Sequence, residues 1–538
     1  MDKTQKSLLI IFILALLLRT IKLSSLPAGF HADEVRAGWN AYSILKTGQD
    51  DRGNTLAMYY NTFGDFRPTG IIYFTIPSIA ILGLNEFAVR LPSALFGALT
   101  IFPLFLFTFA LTNKKGIALL ASLFLAISPW HISVSRATSE VAISMFFVLG
   151  GLVFLTKNKF ISIISFLIGY LLYHSARLLS PAFALITLLY LWRNSSITSK
   201  RHAVSVTIIL ILLTGLFTFD KEARGRFSQV SIFNDIDTAK ELMRMPFEEG
   251  ENKVFIARFF HNKPLTYSRK FINEYTSYFS ANFLIGDEGK PARYRTPAIG
   301  VLTYIEVILV LVGLAAISRK NKYFLALLLL LAAPLPAALT TEDAPNLHRS
   351  FFMVPFFSII EAIGFSFLTS FKPYSKLITV GLSFAILANF IFFWHMYSTH
   401  AVYKISGSRS YGSKELALQL NEVENKYDQI FLTNIPDDPY PWIAFFNKLN
   451  PDEFNKSAIK REHGVWTYRN YIFTTQRCPS QDAFDNQKPD NILAVDAEGC
   501  SEGSDLHNRG DVQILSEVKR PNEAETVIYT LWSKTSNQ

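Results

Sequence analysis

Runs of apolar residues long enough to cross a bilayer recur along this chain from its start to about Met396, and no other feature limits its fold as strongly. A helix spans the hydrocarbon core with about 20 largely apolar residues. Inside lipid only helices and closed barrels leave no backbone group unpaired. The runs fall at about 7–21, 92–111, 116–130, 140–156, 160–173, 178–192, 203–219, 297–317, 322–339, 350–370 and 376–396. Apolar residues make up 50% of the 538 and charged ones only 18%, an excess concentrated in these runs. Past them the composition turns ordinary, so the sequence divides into a membrane body, 1–398, and a soluble segment, 399–538. The run 7–21 follows Lys3 and Lys6 and has no small-x-small cleavage site directly after it. It reads as an uncleaved first helix.

The net charge of +9 does not imply nucleic acid, because the basic residues sit in short clusters between apolar runs. With Lys3 and Lys6 inside, the inward loops carry Lys114/Lys115, Lys157/Lys159, Arg193/Lys200/Arg201, Arg319/Lys320/Lys322 and Lys372/Lys376. All of these clusters fall on one side, as cytoplasmic loops do. The apolar stretch 71–84 contains Pro77 and is short for a span; counting it would invert every later loop. It is placed as a juxtamembrane helix on the outer surface. The expectation is a multi-pass plasma-membrane protein of about eleven spans. Its N-terminus is cytoplasmic, and its outer segments are 22–91, 220–296 and 399–538.

The segment 399–538 reads as an extracytoplasmic α/β domain, with strands at 429–433, 467–475, 491–495 and 526–532 and helices at 413–426 and 441–448. It holds both cysteines, Cys478 and Cys500. Outside the cytoplasm they can pair; two separate thiols are the other reading.

Chemistry concentrates in the outer segments. Gly29-Phe30-His31-Ala32-Asp33-Glu34 leads into a stretch where Val35, Trp39, Tyr42 and Leu45 recur at helical spacing and Gly48 marks the end. This is an amphipathic helix for the membrane interface with two carboxylates at its start. Asp33 is either placed for chemistry or simply the helix cap. Arg67, held by Pro68 before the juxtamembrane stretch, is a phosphate clamp or an interfacial arginine reaching the headgroups. Further outer-face groups lie near the ends of later runs: Arg136 and Glu140, His174 and Arg177, His348 and Arg349. Arginines on the outer side ask for an anionic partner, and a polyprenyl phosphate at the interface supplies one.

With these residues in view, the chain resembles the GT-C glycosyltransferases, specifically the superfamily of protein O-mannosyltransferases and lipid A aminoarabinose transferases. The residues that carry this are Asp33-Glu34 in the first outer loop, Arg67-Pro68, and Glu86-Phe-Ala-Val-Arg-Leu-Pro92 opening the next span. The aminoarabinose-type motif has a second proline where this chain has Thr69, so its acceptor specificity does not carry over. The resemblance implies a polyprenyl-phosphate-linked sugar donor, inverting transfer and no nucleotide sugar. It makes Asp33 the base, Glu34 its support, and Arg67 and Arg136 phosphate contacts, with Arg177 and Arg349 as further candidates. His31, Glu140, His174 and His348 would support the site. No metal is obligatory, although His31 and Glu34 are the pair that would hold a divalent one.

The competing class is a transporter or flippase of lipid-linked sugars. Such proteins carry ionisable residues inside their spans. Here the interior exceptions are Glu306, Glu361 and His395, while most charges crowd the outer ends. An en bloc glycan ligase or oligosaccharyltransferase would use the same outer loop. The sugar and its hydroxyl acceptor (protein, glycolipid or envelope glycan) are not legible, and the loop 220–296 is long enough to help choose the acceptor.

Overall fold

The computed structural model describes residues 2–62, 65–192, 196–219, 228–250, 254–319, 323–435, 438–458, 465–486, 491–500, 505–521 and 525–534. Gly64, Arg193, Lys320 and Lys322 lie outside them. The chain forms two compact units. One comprises Met1–Ile21, Met58–Gly70 and Ser93–Met396; the other comprises Lys22–Ala57, Ile71–Pro92 and Tyr397–Gln538.

The first unit is helical. Among the described residues five helices are long and apolar enough to cross a membrane: Glu86–Thr112, His174–Leu191, Ile197–Phe219, Phe351–Leu368 and Ser375–Lys404. Shorter apolar helices are Glu140–Phe154, Lys159–Leu172, Tyr304–Ser318 and Phe324–Ala338, and a further one, Gly70–Leu82, belongs to the second unit from Ile71 on. The run read as one span at 116–130 is broken: Lys115–Ile127 and Pro129–Ser135 meet at 55°. Ser128 caps the second piece and Pro129 starts it, the position where a missing N–H costs nothing. The break frees carbonyls at the end of the first piece. Arg19, wholly buried, donates from Nη1 to Ala126 O (2.9 Å) and from Nη2 to Leu125 O (3.2 Å). A second break falls at Pro334, which separates Phe324–Ala332 from Leu335–Ala338.

Helices Tyr304–Ser318 and Val354–Leu368 touch backbone to backbone. A Cβ on Gly313 would lie 2.2 Å from Ile360 O, and one on Gly364 would lie 2.0 Å from Leu309 O. Lipid gives no hydrophobic drive for helix pairing, so glycine contacts that permit close van der Waals packing take its place.

The second unit contains a six-stranded sheet in the order Trp466–Tyr468, Tyr471–Thr474, Gln429–Thr433, Ile492–Ala497, Val527–Lys534, Val512–Lys519. Gln429–Thr433 runs parallel to both its neighbours, and the outer pairings are antiparallel. Every residue of Ile492–Ala497 is buried, as a central strand covered on both faces requires. The stretch expected as one strand over 467–475 is a hairpin that turns at Arg469, whose φ is 51°.

Cys478 and Cys500 are joined, with Cα atoms 5.6 Å apart. Closing a loop of this size stabilises by about 2–4 kcal/mol. Replacing both cysteines by serine is expected to lower the denaturation midpoint of this unit accordingly, read by urea titration of the full chain with a fluorophore near the sheet.

Candidate functional site

Helix Ala32–Thr47 forms where the apolar spacing predicts it, and Gly48 closes it in the left-handed region. Its start differs from expectation. The cap is His31: its Nδ1 accepts from the Asp33 N–H at 3.1 Å, while Glu34 Oε2 accepts from the His31 N–H at 3.1 Å. Asp33 therefore lies in the first turn, where the helix dipole favours a carboxylate, with 20% of its side chain exposed. An Nδ1 that accepts a backbone proton carries none itself. The 3.4 Å approach of Asp33 Oδ2 to that nitrogen is thus a contact and not a charged pair.

Glu34 is buried, and two buried guanidiniums hold it. Arg90 donates from Nε to Oε1 at 2.9 Å and from Nη2 to Oε2 at 3.1 Å; Arg409 Nη2 donates to Oε2 at 2.5 Å. The remaining donors satisfy loop carbonyls. Arg90 reaches Leu23 O (2.9 Å), Ser24 O (3.3 Å) and Gly29 O (2.6 Å), and Arg409 Nε reaches Ala28 O (3.1 Å). Gly29 has φ +79°, and a Cβ there would lie 2.5 Å from Arg409 O, so the loop closes over this pair only with glycine. Both oxygens of Glu34 are engaged and His31 Nδ1 is an acceptor. The pair named for a divalent ion is committed to the protein's own donors. Among the described residues no group of three or more His, Cys, Asp or Glu is arranged for a metal.

Of the four residues that define the apolar face of this helix, Leu45 is exposed and Tyr42 half-buried, while the other two pack against protein. Val35 and Trp39 are buried. Trp39 meets Phe454 edge-on at 5.5 Å, a Cβ on Gly38 would lie 2.6 Å from both Phe445 and Val89, and Asn455 Nδ2 donates to Ser43 Oγ at 2.7 Å. Trp442 Nε1 donates to Phe30 O at 2.8 Å. Ala37 and Ala41, on the other side of the helix, are buried as well. Arg90 and Arg409 are the partners of Glu34 that sequence reasoning did not name. Arg90 stands inside the quoted Glu86–Pro92 motif, a charge at the mouth of an apolar run; Arg409 gives no local signal.

The other candidates lie in the helical unit. Arg67 is half-buried on strand Asp65–Pro68, opposite Tyr60 in the hairpin with Tyr59–Thr62. That hairpin rests on the start of helix His174–Leu191. Arg177 Nη1 donates to the Tyr59 hydroxyl at 2.8 Å, the Tyr59 ring stacks on His174 at 6.0 Å, and His174 Nε2 lies 3.3 Å from Phe66 O. The neighbouring Tyr173 carries the network onward: its hydroxyl is 3.2 Å from His348 Nδ1, and His348 Nε2 lies 3.0 Å from Ser139 Oγ and 3.9 Å from Glu140 Oε2. Tyr294 stacks on His348 at 5.1 Å. Arg349 donates to Thr340 Oγ1 (2.9 Å), Glu342 O (2.7 Å) and Glu342 Oε2 (2.5 Å).

Arg136 differs from the rest. It is wholly buried and gives Nη1 to Leu18 O and Nη2 to Ile21 O, each at 2.6 Å, so it clamps the end of helix Lys3–Thr20. The structure thus groups Arg67, His174, Arg177, Glu140, His348 and Arg349 in one unit around Tyr59 and Tyr173. It groups His31, Asp33 and Glu34 in the other around Arg90 and Arg409.

Residues 9–163 match the family of dolichyl-phosphate-mannose-protein mannosyltransferases. The fold is shared end to end with ArnT from Cupriavidus metallidurans bound to undecaprenyl phosphate: TM-score 0.53, 11% identity, 98% of each chain covered. The apo state of the same protein gives TM-score 0.53 at 10% identity, again over 98% of each chain. No curated protein matches in sequence. The architecture, apolar helices with a sheet toward the C-terminus, is the GT-C membrane fold.

Proposed function

We propose that the chain is a glycosyltransferase that moves one sugar from a polyprenyl-phosphate donor to a hydroxyl acceptor, with inversion, at the outer face of the plasma membrane; the family match over 9–163 and the fold shared with ArnT support this reading. The single observation behind the residue assignment is the division of labour between adjacent carboxylates. Glu34 is buried between Arg90 and Arg409, while Asp33 keeps its carboxylate partly exposed on the same first turn. Glu34 anchors the turn, and the proposal gives the proton transfer to Asp33.

In this mechanism Asp33 takes the proton of the acceptor hydroxyl as that oxygen bonds to the anomeric carbon. The bond from that carbon to the donor phosphate breaks on the opposite side. The departing lipid phosphate is already a stable anion, so it requires stabilising charge and no general acid. Arg67 is the residue assigned to that phosphate, with Arg177 and Arg349 as supporting cations; Arg136 is given to the end of the first helix. No metal enters the scheme. The lipid bound by ArnT supports the donor class. The one-sided basic clusters support about eleven crossings, a cytoplasmic N-terminus and an extracytoplasmic sheet domain.

The reading is tested with the full chain in nanodiscs, polyprenyl-phosphate sugars and envelope acceptors, the product's anomeric configuration being read by NMR. Inverted product from the lipid donor is expected. Retention, or equal use of a nucleotide sugar, would sink it. Arg67→Ala is expected to raise KM for the donor about tenfold or more, the loss of one charge-assisted phosphate contact, with acceptor KM unchanged. An unchanged donor KM would remove Arg67 from the site. Deleting 236–277 should change which acceptors are used while leaving donor binding in place, since that loop is assigned to acceptor choice.

A further inference from the structure

The segment between helices Ile197–Phe219 and Tyr304–Ser318 folds into three helices, Ile236–Glu248, Val254–Phe260 and Lys263–Ser277. Each presents large apolar side chains to the outside. Met243 and Phe247 stand one turn apart on the first, Phe255 and Phe259 one turn apart on the second beside Phe260, and Ile272 on the third. Phe247 and Phe255 are 85% and 84% exposed. Soluble surfaces scatter such residues singly; clusters of them mark a surface with an apolar partner.

Two observations name that partner. First, most of the charges of these helices pair among themselves, Lys240 with Asp237, Arg244 with Glu248, Arg269 with Glu241, and Lys270 with Glu274. Much of the charge on the polar sides is thus satisfied within the segment. Second, the segment is tied to an apolar helix partway along its length. The Tyr275 hydroxyl donates to Leu331 O at 2.8 Å, inside the apolar stretch Phe324–Ala338, where Leu331 and Leu335 are themselves exposed. The exposed face of the loop is therefore continuous with side chains of a helix short and apolar enough to be surrounded by lipid. Amphipathic helices with aromatic residues opposite a charged face lie in the plane of the headgroup–acyl boundary.

We propose that these three helices are immersed along one face in a leaflet of the bilayer, forming a membrane-embedded shelf and not a free extramembrane loop. The occupant of the apolar face is the acyl-chain boundary of the protein's own membrane.

Both cysteines are joined to each other, so a single introduced cysteine takes a nitroxide label uniquely. F255C, F259C and K240C would each be labelled in the full chain in zwitterionic nanodiscs, and collision with oxygen compared with that of a water-soluble nickel chelate. Labels at 255 and 259 are expected to favour oxygen several-fold, and the label at 240 to favour nickel. Equal nickel access at all three positions overturns the proposal. So does exclusion of both reagents with spin–spin broadening, which would make the face an interface between copies. The unsubstituted protein gives a second reading: a lipid with a diazirine in mid-chain should leave adducts on 254–260, and adducts confined to the spanning helices would overturn it equally.

Discussion

Asp33→Asn is expected to lower the rate of sugar transfer by about 100- to 10,000-fold, the usual loss when a positioned base is removed. Asparagine keeps the size of the side chain and leaves the His31 cap and the Glu34 anchor in place, so the turn should stay folded. The loss should appear in kcat with donor KM nearly unchanged, because proton removal matters only as the transition state forms. Single-turnover transfer by wild type and variant, with donor binding followed separately, separates the two parameters. Equal turnover would take the base assignment from Asp33 while leaving the fold class untouched. A rise in donor KM alone would instead make Asp33 a binding residue.

Glu34→Ala should be the most damaging single change to stability in the first loop. It strands two guanidiniums that are 1% exposed at their side chains, and removing one partner of a buried ion pair costs about 3–5 kcal/mol. Arg409→Met should cost less, because Arg90 still bonds both oxygens of the carboxylate. The denaturant midpoints of the two variants in detergent, measured on the full chain, are expected to fall in that order. If Glu34→Ala unfolds at the wild-type midpoint, the buried triad contributes nothing and the anchor role is wrong. Activity offers an independent check. Where Arg409→Met remains folded, a fall in kcat at constant donor KM would mark Arg409 as a positioning residue for Asp33.

Legibility in the sequence followed the range of the interactions. The helix carrying Asp33 was readable because Val35, Trp39 and Tyr42 repeat within a few residues of one another, and its glycine stop is local too. Its cap was not, since histidine is not among the favoured capping residues and Asp33 stood beside it. Glu34 gave no hint of its partners: Arg90 is 56 residues away and Arg409 is 375. Apolar runs located the membrane helices but not their breaks, since Ser128-Pro129 and Pro334 interrupt stretches whose composition stays apolar. Arg19 sat at the end of such a run, and its distant partners, the freed carbonyls of Leu125 and Ala126 and the His131 ring, lie more than 100 residues away. In the sheet domain the strand Ile492–Ala497 was evident from its apolar start, Ile492 to Val495. The edge strand Val512–Lys519 was not, because much of it is exposed and Gln513, Ser516 and Glu517 dilute its pattern.

The bonds around Glu34 and Phe30 also set a timetable. A ribosome delivers the chain from its start, so Asp33 and Glu34 emerge early, while Arg409 and Trp442 follow 375 and 412 residues after the groups they hold. Until that last portion is made, Glu34 lacks one of its two cations and the Phe30 carbonyl lacks its donor. A nascent chain halted after its final membrane helix would therefore hold both carboxylates without the frame that distinguishes them. In the proposed scheme the frame around Asp33 is complete only once Arg409 and Trp442 have followed the first loop.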